Sequence, residues 1–159
     1  MLSELCQQCG LCCSGALFTF LPVTEEEAKR VVPLGVRTEQ RRDGRLALLL
    51  PCAVLRSTRC GAYDARPARC REYVCELGKA VQRRERPLDA ALAVVDEAKR
   101  GLAELEALLG PPEPGDVRST LQRAQQAEAR EPDDVWFKAV RGKARSLEAM
   151  LQQYFVGSY

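Results

Sequence analysis

Eight cysteines are the residues of this 159-residue chain best equipped for chemistry, and all of them fall between Cys6 and Cys75. Four crowd into CQQCGLCC, giving C-x2-C-x2-C-C through Cys6, Cys9, Cys12 and Cys13. Cys52, Cys60, Cys70 and Cys75 follow with spacing C-x7-C-x9-C-x4-C. At C-x2-C spacing a tight turn brings two thiolates onto one ion, and structural zinc sites close with four ligands, sulfur lying about 2.3 Å from the metal. Gly10, directly after Cys9, suits such a turn because it lets backbone amides swing toward sulfur.

The vicinal pair behaves differently. Neighbouring side chains diverge in a strand and stand about 100° apart on a helix, so Cys12 and Cys13 are poor partners on one tetrahedral ion. They suit two centres, or one centre plus a free thiol. On a continuous helix, Cys6, Cys9 and Cys13 would share a face, with Cys12 pointing off it. Eight thiols also divide into two groups of four, which allows two metal sites. The same stretch opens like a bacterial ferredoxin run. The fourth ferredoxin cysteine would fall at position 16, where Ala16 stands, so a remote cysteine such as Cys52 or Cys75 would have to complete an iron–sulfur cluster. A zinc ribbon wants a second C-x2-C, and the sequence has none.

What is missing narrows the chemistry. There is no histidine, hence no Ser–His or Cys–His nucleophile pair and no imidazole ligand. A metal site must be all sulfur, or sulfur with carboxylate. The reading is of a binding protein rather than an enzyme. A net charge of +2 does not argue for nucleic acid or membrane as partner. No signal peptide or membrane-spanning run is evident, so the cytoplasm is the expected location. Thiols are kept reduced there, and ligands are favoured over disulfides. The first 87 residues hold 15 Lys and Arg against 10 Asp and Glu, an excess that suits a metallated thiolate cluster. Arg66 and Arg71 are the candidate cofactor-contacting cations, by neutralising the cluster or by holding an anionic group.

CQQCGLCC, then PCAVL, then RCGAYDARPARCREYVC resembles the YkgJ-type cysteine-cluster family, the CxxCxxCC zinc- or iron-chelating domain. The likeness spans residues 6–77 and includes all eight cysteines with Tyr63, Arg66-Pro67 and Cys70-Arg71 in the family's order. It implies metal binding. It also implies an iron–sulfur or radical role for some members, because the flagellin lysine N-methylases are among them; the helical tail of this chain matches no added catalytic domain.

The elements that must position the thiols are short. ALFTFL (16–21) reads as a strand ended by Pro22. Thr24 with Glu27 forms a capping box for a helix stopped by Pro33 and Gly35. VRTEQRRDGRLALLL reads as a hairpin turning at Asp43-Gly44. Pro67 opens a helix over PARCREYVCELGKA. From Leu88, apolar residues recur at helical spacing. GPPEPGD breaks that helix, a second runs from Val117 to Ala129, and a third follows a cap at Asp133 or Asp134, with Trp136 on its core face. Tyr63 reads as a packing residue. The expected fold is α+β and predominantly helical: a metal-organised cysteine domain with short strands over 1–87, and a helical region over 88–159 whose apolar faces dock on that domain, on each other or on a protein partner. Zinc is the favoured ligand, iron or an iron–sulfur cluster the alternative, and a thiol redox sensor the third reading.

Overall fold

The computed structural model describes residues 2–128 and 134–156. Its elements, in chain order, are α1 (Leu2–Cys9), β1 (Phe20–Pro22), α2 (Glu25–Val31), β2 (Thr38–Gln40), β3 (Leu46–Leu49), β4 (Leu55–Arg56), β5 (Arg59–Cys60), α3 (Ala68–Glu72), α4 (Glu76–Gln82), α5 (Leu88–Leu109), α6 (Thr120–Glu128) and α7 (Val135–Leu151). A 3-10 turn over Val32–Leu34 follows α2, and a π turn over Gln152–Val156 follows α7. This is a small α+β fold with its few strands in the first half and helices beyond.

The strands form two antiparallel sheets. One has the order β1-β3-β2, with Leu48 opposite both Leu21 and Thr38; the other pairs β4 with β5, setting Leu55 opposite Cys60. The ALFTFL strand is shorter than its sequence suggests: pairing begins only at Phe20 and runs through Pro22. Proline is tolerated there because β1 is an edge strand. In the β2–β3 hairpin Gly44 alone supplies the left-handed residue, at φ 80°. Its N–H bonds the Arg41 carbonyl at 2.9 Å, and Asp43 closes the turn by accepting the Arg45 N–H at 3.0 Å.

Capping chemistry sets several helix ends. Thr24 Oγ1 accepts the Glu27 N–H at 3.2 Å while Glu27 Oε2 accepts the Thr24 N–H at 2.9 Å, completing the box. Gly35, at φ 98°, ends the 3-10 turn that holds Pro33. The helix anticipated over 67–80 is broken in two. Tyr73 is extended, and its ring packs edge-on against Phe18 at 4.9 Å; its hydroxyl donates to the Phe155 carbonyl. Cys75 then starts α4 as its N-cap, Sγ accepting the Gly78 N–H at 3.3 Å. These tertiary contacts outweigh the local helical preference of the segment.

The break at 110–116 separates α5 from α6, but α6 starts at Thr120 rather than Val117. Ser119 and Gln122 form a second capping box, with the Ser119 N–H donating to Gln122 Oε1 at 2.8 Å and Ser119 Oγ accepting the Gln122 N–H. Val117 therefore lies outside the helix and is 53% exposed, whereas Leu121 and Ala124 are buried. Asp134 caps α7 by accepting the Trp136 N–H at 2.7 Å; Asp133 lies outside the described residues. Trp136 is not core. It is 39% exposed and donates its indole N–H to the Leu108 carbonyl.

Two hydrophobic cores result. The larger gathers Leu5 and Leu11 with Leu77 and Val81 of α4, Val95 and Leu105 of α5, Leu121 of α6, Leu147 of α7 and Phe155. The helices after Leu88 thus dock both on one another and on the cysteine-bearing half. The smaller core joins Val23, Val31, Val36, Leu48, Leu50, Val54 and Ala62.

Candidate metal centre

Helix α1 delivers Cys6 and Cys9 three residues apart, on one face. It ends there because Gly10 turns left-handed at φ 73°. A side chain at position 10 would also meet Thr58: a Cβ would lie 3.0 Å from the Thr58 Cα. The close approach is held by Thr58 Oγ1, which donates to the Gln7 carbonyl at 2.6 Å. Beyond Gly10 the chain winds through a turn in which the N–H groups of Cys13 and Ser14 both donate to the Gly10 carbonyl, at 3.1 and 3.0 Å. The continuous helix that would have grouped Cys13 with Cys6 and Cys9 does not form.

The second half of the site is hung from Cys13. Its carbonyl accepts the Cys52 N–H at 2.8 Å, and the Cys52 carbonyl accepts the Leu55 N–H at 3.0 Å, leading into the β4–β5 hairpin that ends in Cys60. Cys70 sits in α3. Helix α3 is tied back to α2 by Glu27, whose Oε1 accepts the Ala68 N–H at 2.7 Å. Cys75 caps α4, which packs on α1.

All eight cysteines are free thiols, and all eight line one cavity of about 550 Å³. Leu5, Phe18, Leu48 and Phe155 give it an apolar surround. Among the described residues, no three Cys, Asp or Glu side chains stand close enough together, as oriented, to hold one ion. The backbone thus brings the thiols to a common space, and holding one ion would require side-chain rotation. The donor set fits a soft ion: thiols alone, with no imidazole in the chain.

Burial is the main influence on these thiols, and neighbouring thiols add to it. Burial pushes Cys9 up to about 11, with Cys75 and Cys6 adding to the rise and the Leu11 N–H and Lys99 opposing it. Burial likewise raises Cys12 well above the ordinary thiol value, reinforced by Cys9, Cys75, Cys13 and Cys6. Cys13 rises to about 12, first from burial and then from Cys52, Cys60 and Cys70. Cys70 rises to about 11 through burial, Cys52 and Cys60. Burial also raises Cys6, Cys52 and Cys75. Against these terms stand backbone donors aimed at sulfur: the Leu11 N–H at Cys9, the Val54 N–H at Cys52, and the Gly78 and Leu77 N–H groups at Cys75. Such donors favour thiolate over thiol.

The candidate cations lie at this cavity but are partly engaged. Arg66 stacks over the Tyr63 ring at 3.6 Å and its Nε donates to the Tyr63 carbonyl at 3.0 Å. Its charge lowers Cys6, Cys13 and Cys70. Arg71 donates to the Arg66 and Asp64 carbonyls, both at 2.9 Å, and so braces the loop 63–71. Tyr63 is a stacking platform at 47% exposure, not a buried packing residue. Sequence reading missed Lys99 on α5, which lowers Cys9 and donates to the Gln8 carbonyl, and Arg37 and Arg56, which lower Cys52. Lys99 lies 24 positions beyond Cys75, which left no signal, whereas Arg56 stands between Cys52 and Cys60.

A family model described as "CxxCxxCC: Putative zinc- or iron-chelating domain" matches residues 5–88, just over half of the chain. The chain belongs to the CxxCxxCC family. Metal chelation by the cysteine cluster is therefore its family character, with zinc and iron both within the description. No curated protein and no solved structure matches the chain. The CxxCxxCC match begins one residue before Cys6 and ends at the first residue of α5, and the helices beyond it share the larger core with Leu5, Leu11, Leu77 and Val81 of the family segment.

Proposed function

We propose that this CxxCxxCC protein binds metal through Cys6, Cys9, Cys12, Cys13, Cys52, Cys60, Cys70 and Cys75, with zinc as the favoured ion and a structural or metal-handling role. The single observation that carries this reading is the meeting of all eight reduced thiols at one cavity. Residues 1–87 provide the ligands, and the helices of 88–159 roof them. Arg66 and Arg71 compensate the charge that thiolates acquire on metallation. Zinc is preferred because the ferredoxin spacing stops at Ala16. No helix among the described residues is long and apolar enough to cross a membrane; we place the protein in the cytoplasm, where its thiols stay reduced.

The apolar lining of the cavity favours one second reading, an iron–sulfur cluster held away from water. Elemental analysis and a visible spectrum of anaerobically purified full-length protein separate the two. Stoichiometric zinc in a colourless sample supports the first reading. Brown colour with iron and sulfide replaces it with the second. A folded, metal-free protein whose thiols all react with alkylating reagent overturns both in favour of a redox thiol protein.

A further inference from the structure

The eight thiols share one cavity but hang from two different frameworks. Cys9 and Cys75 pack against the helical core around Leu5, Leu77 and Val81, whereas Cys52 and Cys60 pack against the strand core around Leu48, Leu50 and Val54. Cys6 and Cys9 share α1, and Cys75 begins the helix that packs on it. On the other framework, Cys52 leads into the hairpin that carries Cys60, and its N–H is fixed to the Cys13 carbonyl. Cys70 lies in α3, which packs on β1 of the larger sheet. Residues 10–14 form the joint between the frameworks, and the vicinal pair sits in that joint.

We infer that the protein holds two four-sulfur metal sites, one formed by Cys6, Cys9, Cys12 and Cys75 and the other by Cys13, Cys52, Cys60 and Cys70, with the Cys12–Cys13 peptide bond linking them. This rests on the metal-chelating reading above. The backbone follows the same division: the Cys13 carbonyl accepts the Cys52 N–H at 2.8 Å, while α1, which carries Cys6 and Cys9, packs on α4, which Cys75 begins. Cys12, whose side chain diverges from that of Cys13, then falls to the first quartet. The division also resolves the problem of adjacent ligands. Two neighbouring side chains that diverge cannot close on one tetrahedron, but they can each complete a different one.

The test uses the full-length protein loaded with zinc. A chelator is added, samples are pulsed with an alkylating reagent at intervals, and each cysteine is scored by mass spectrometry. Cys6, Cys9, Cys12 and Cys75 should lose protection on one time course, and Cys13, Cys52, Cys60 and Cys70 on another. Cys12 and Cys13 should part company despite their adjacency. Zinc content provides a second measurement: Cys75→Ser and Cys60→Ser should each halve it, and the double variant should abolish it. A single time course for all eight thiols, or sets that cut across the quartets, would overturn the division. So would a folded Cys75→Ser protein that has lost all its zinc. These results leave metal binding itself intact. A wild-type chain that takes up no metal removes the metal-chelating reading and the division together.

Discussion

The close approach of α1 to the β4–β5 hairpin makes Gly10 a position whose substitution should disturb the cysteine cluster without touching a cysteine. Two costs act on Gly10→Ala. The residue sits at φ 73°, where an L side chain is worse off by about 1–2 kcal/mol. The new Cβ would stand 3.0 Å from the Thr58 Cα, 3.3 Å from its Cβ and 3.4 Å from its carbonyl oxygen. Two of these are backbone atoms, and the Thr58 hydroxyl is bonded to the Gln7 carbonyl, so neither side yields freely. Overpacking of this kind costs about 1–3 kcal/mol. The sum is about 2–5 kcal/mol, which for a chain of this length lowers the melting temperature by about 4–20 °C. Gly44→Ala is the internal control. Gly44 has a similar φ of 80° but nothing within 4 Å of its would-be Cβ, so only the conformational cost applies. Thermal unfolding followed by circular dichroism, at matched metal loading, compares the two. Gly10→Ala should lose clearly more than Gly44→Ala, and it should also lose metal. Equal losses in the two variants would refute the close contact between α1 and the hairpin, and with it the frame that brings Cys6 and Cys9 toward Cys60.

Glu27 should give the fold an acid-sensitive element. Its carboxylate accepts N–H bonds from Ala68 and Thr24, which hold it below the usual value of 4.5; a lowered folded pKa means this contribution is full above about pH 4.5 and fades as pH falls through the folded value. Glu27→Gln keeps one acceptor oxygen of the two, so it should cost about 1 kcal/mol near neutrality and flatten the loss of stability in acid, and urea titrations at pH 7 and pH 4 would show it; an unchanged difference between the two pH values would count against the two N–H bonds to this carboxylate. Phe155→Ala empties a fully buried site at the junction of the helical core and the cavity, so it should cost about 3–5 kcal/mol by denaturant unfolding, and a loss under 1 kcal/mol would contradict the packing. Val117→Ser, at an exposed position ahead of α6, should change stability by less than about 0.5 kcal/mol, whereas a larger loss would return Val117 to the helix face.

Much of the local structure was legible because it rests on contacts between residues close in sequence. The Thr24–Glu27 box, the left-handed stops at Gly35 and Gly44, the Asp134 cap and the long apolar period of α5 are each decided within a few residues. The candidate donor chemistry was legible for the same reason: eight thiols without histidine exclude imidazole ligands. What was misread depended on partners far along the chain. Helix 67–80 broke because Tyr73 is held by Phe18 and by the Phe155 carbonyl. The cation Lys99 reaches the cluster from α5, 24 positions beyond the last cysteine.

The sequence by itself determined what the protein can bind with, since donor chemistry belongs to residue type and needs no fold. Only the tertiary structure decided which sulfur neighbours which. Grouping thiols that lie 66 positions apart, as Cys9 and Cys75 do, depends on two helices meeting across a shared apolar core. That meeting is a sum of many non-directional contacts, and no spacing along the chain encodes it.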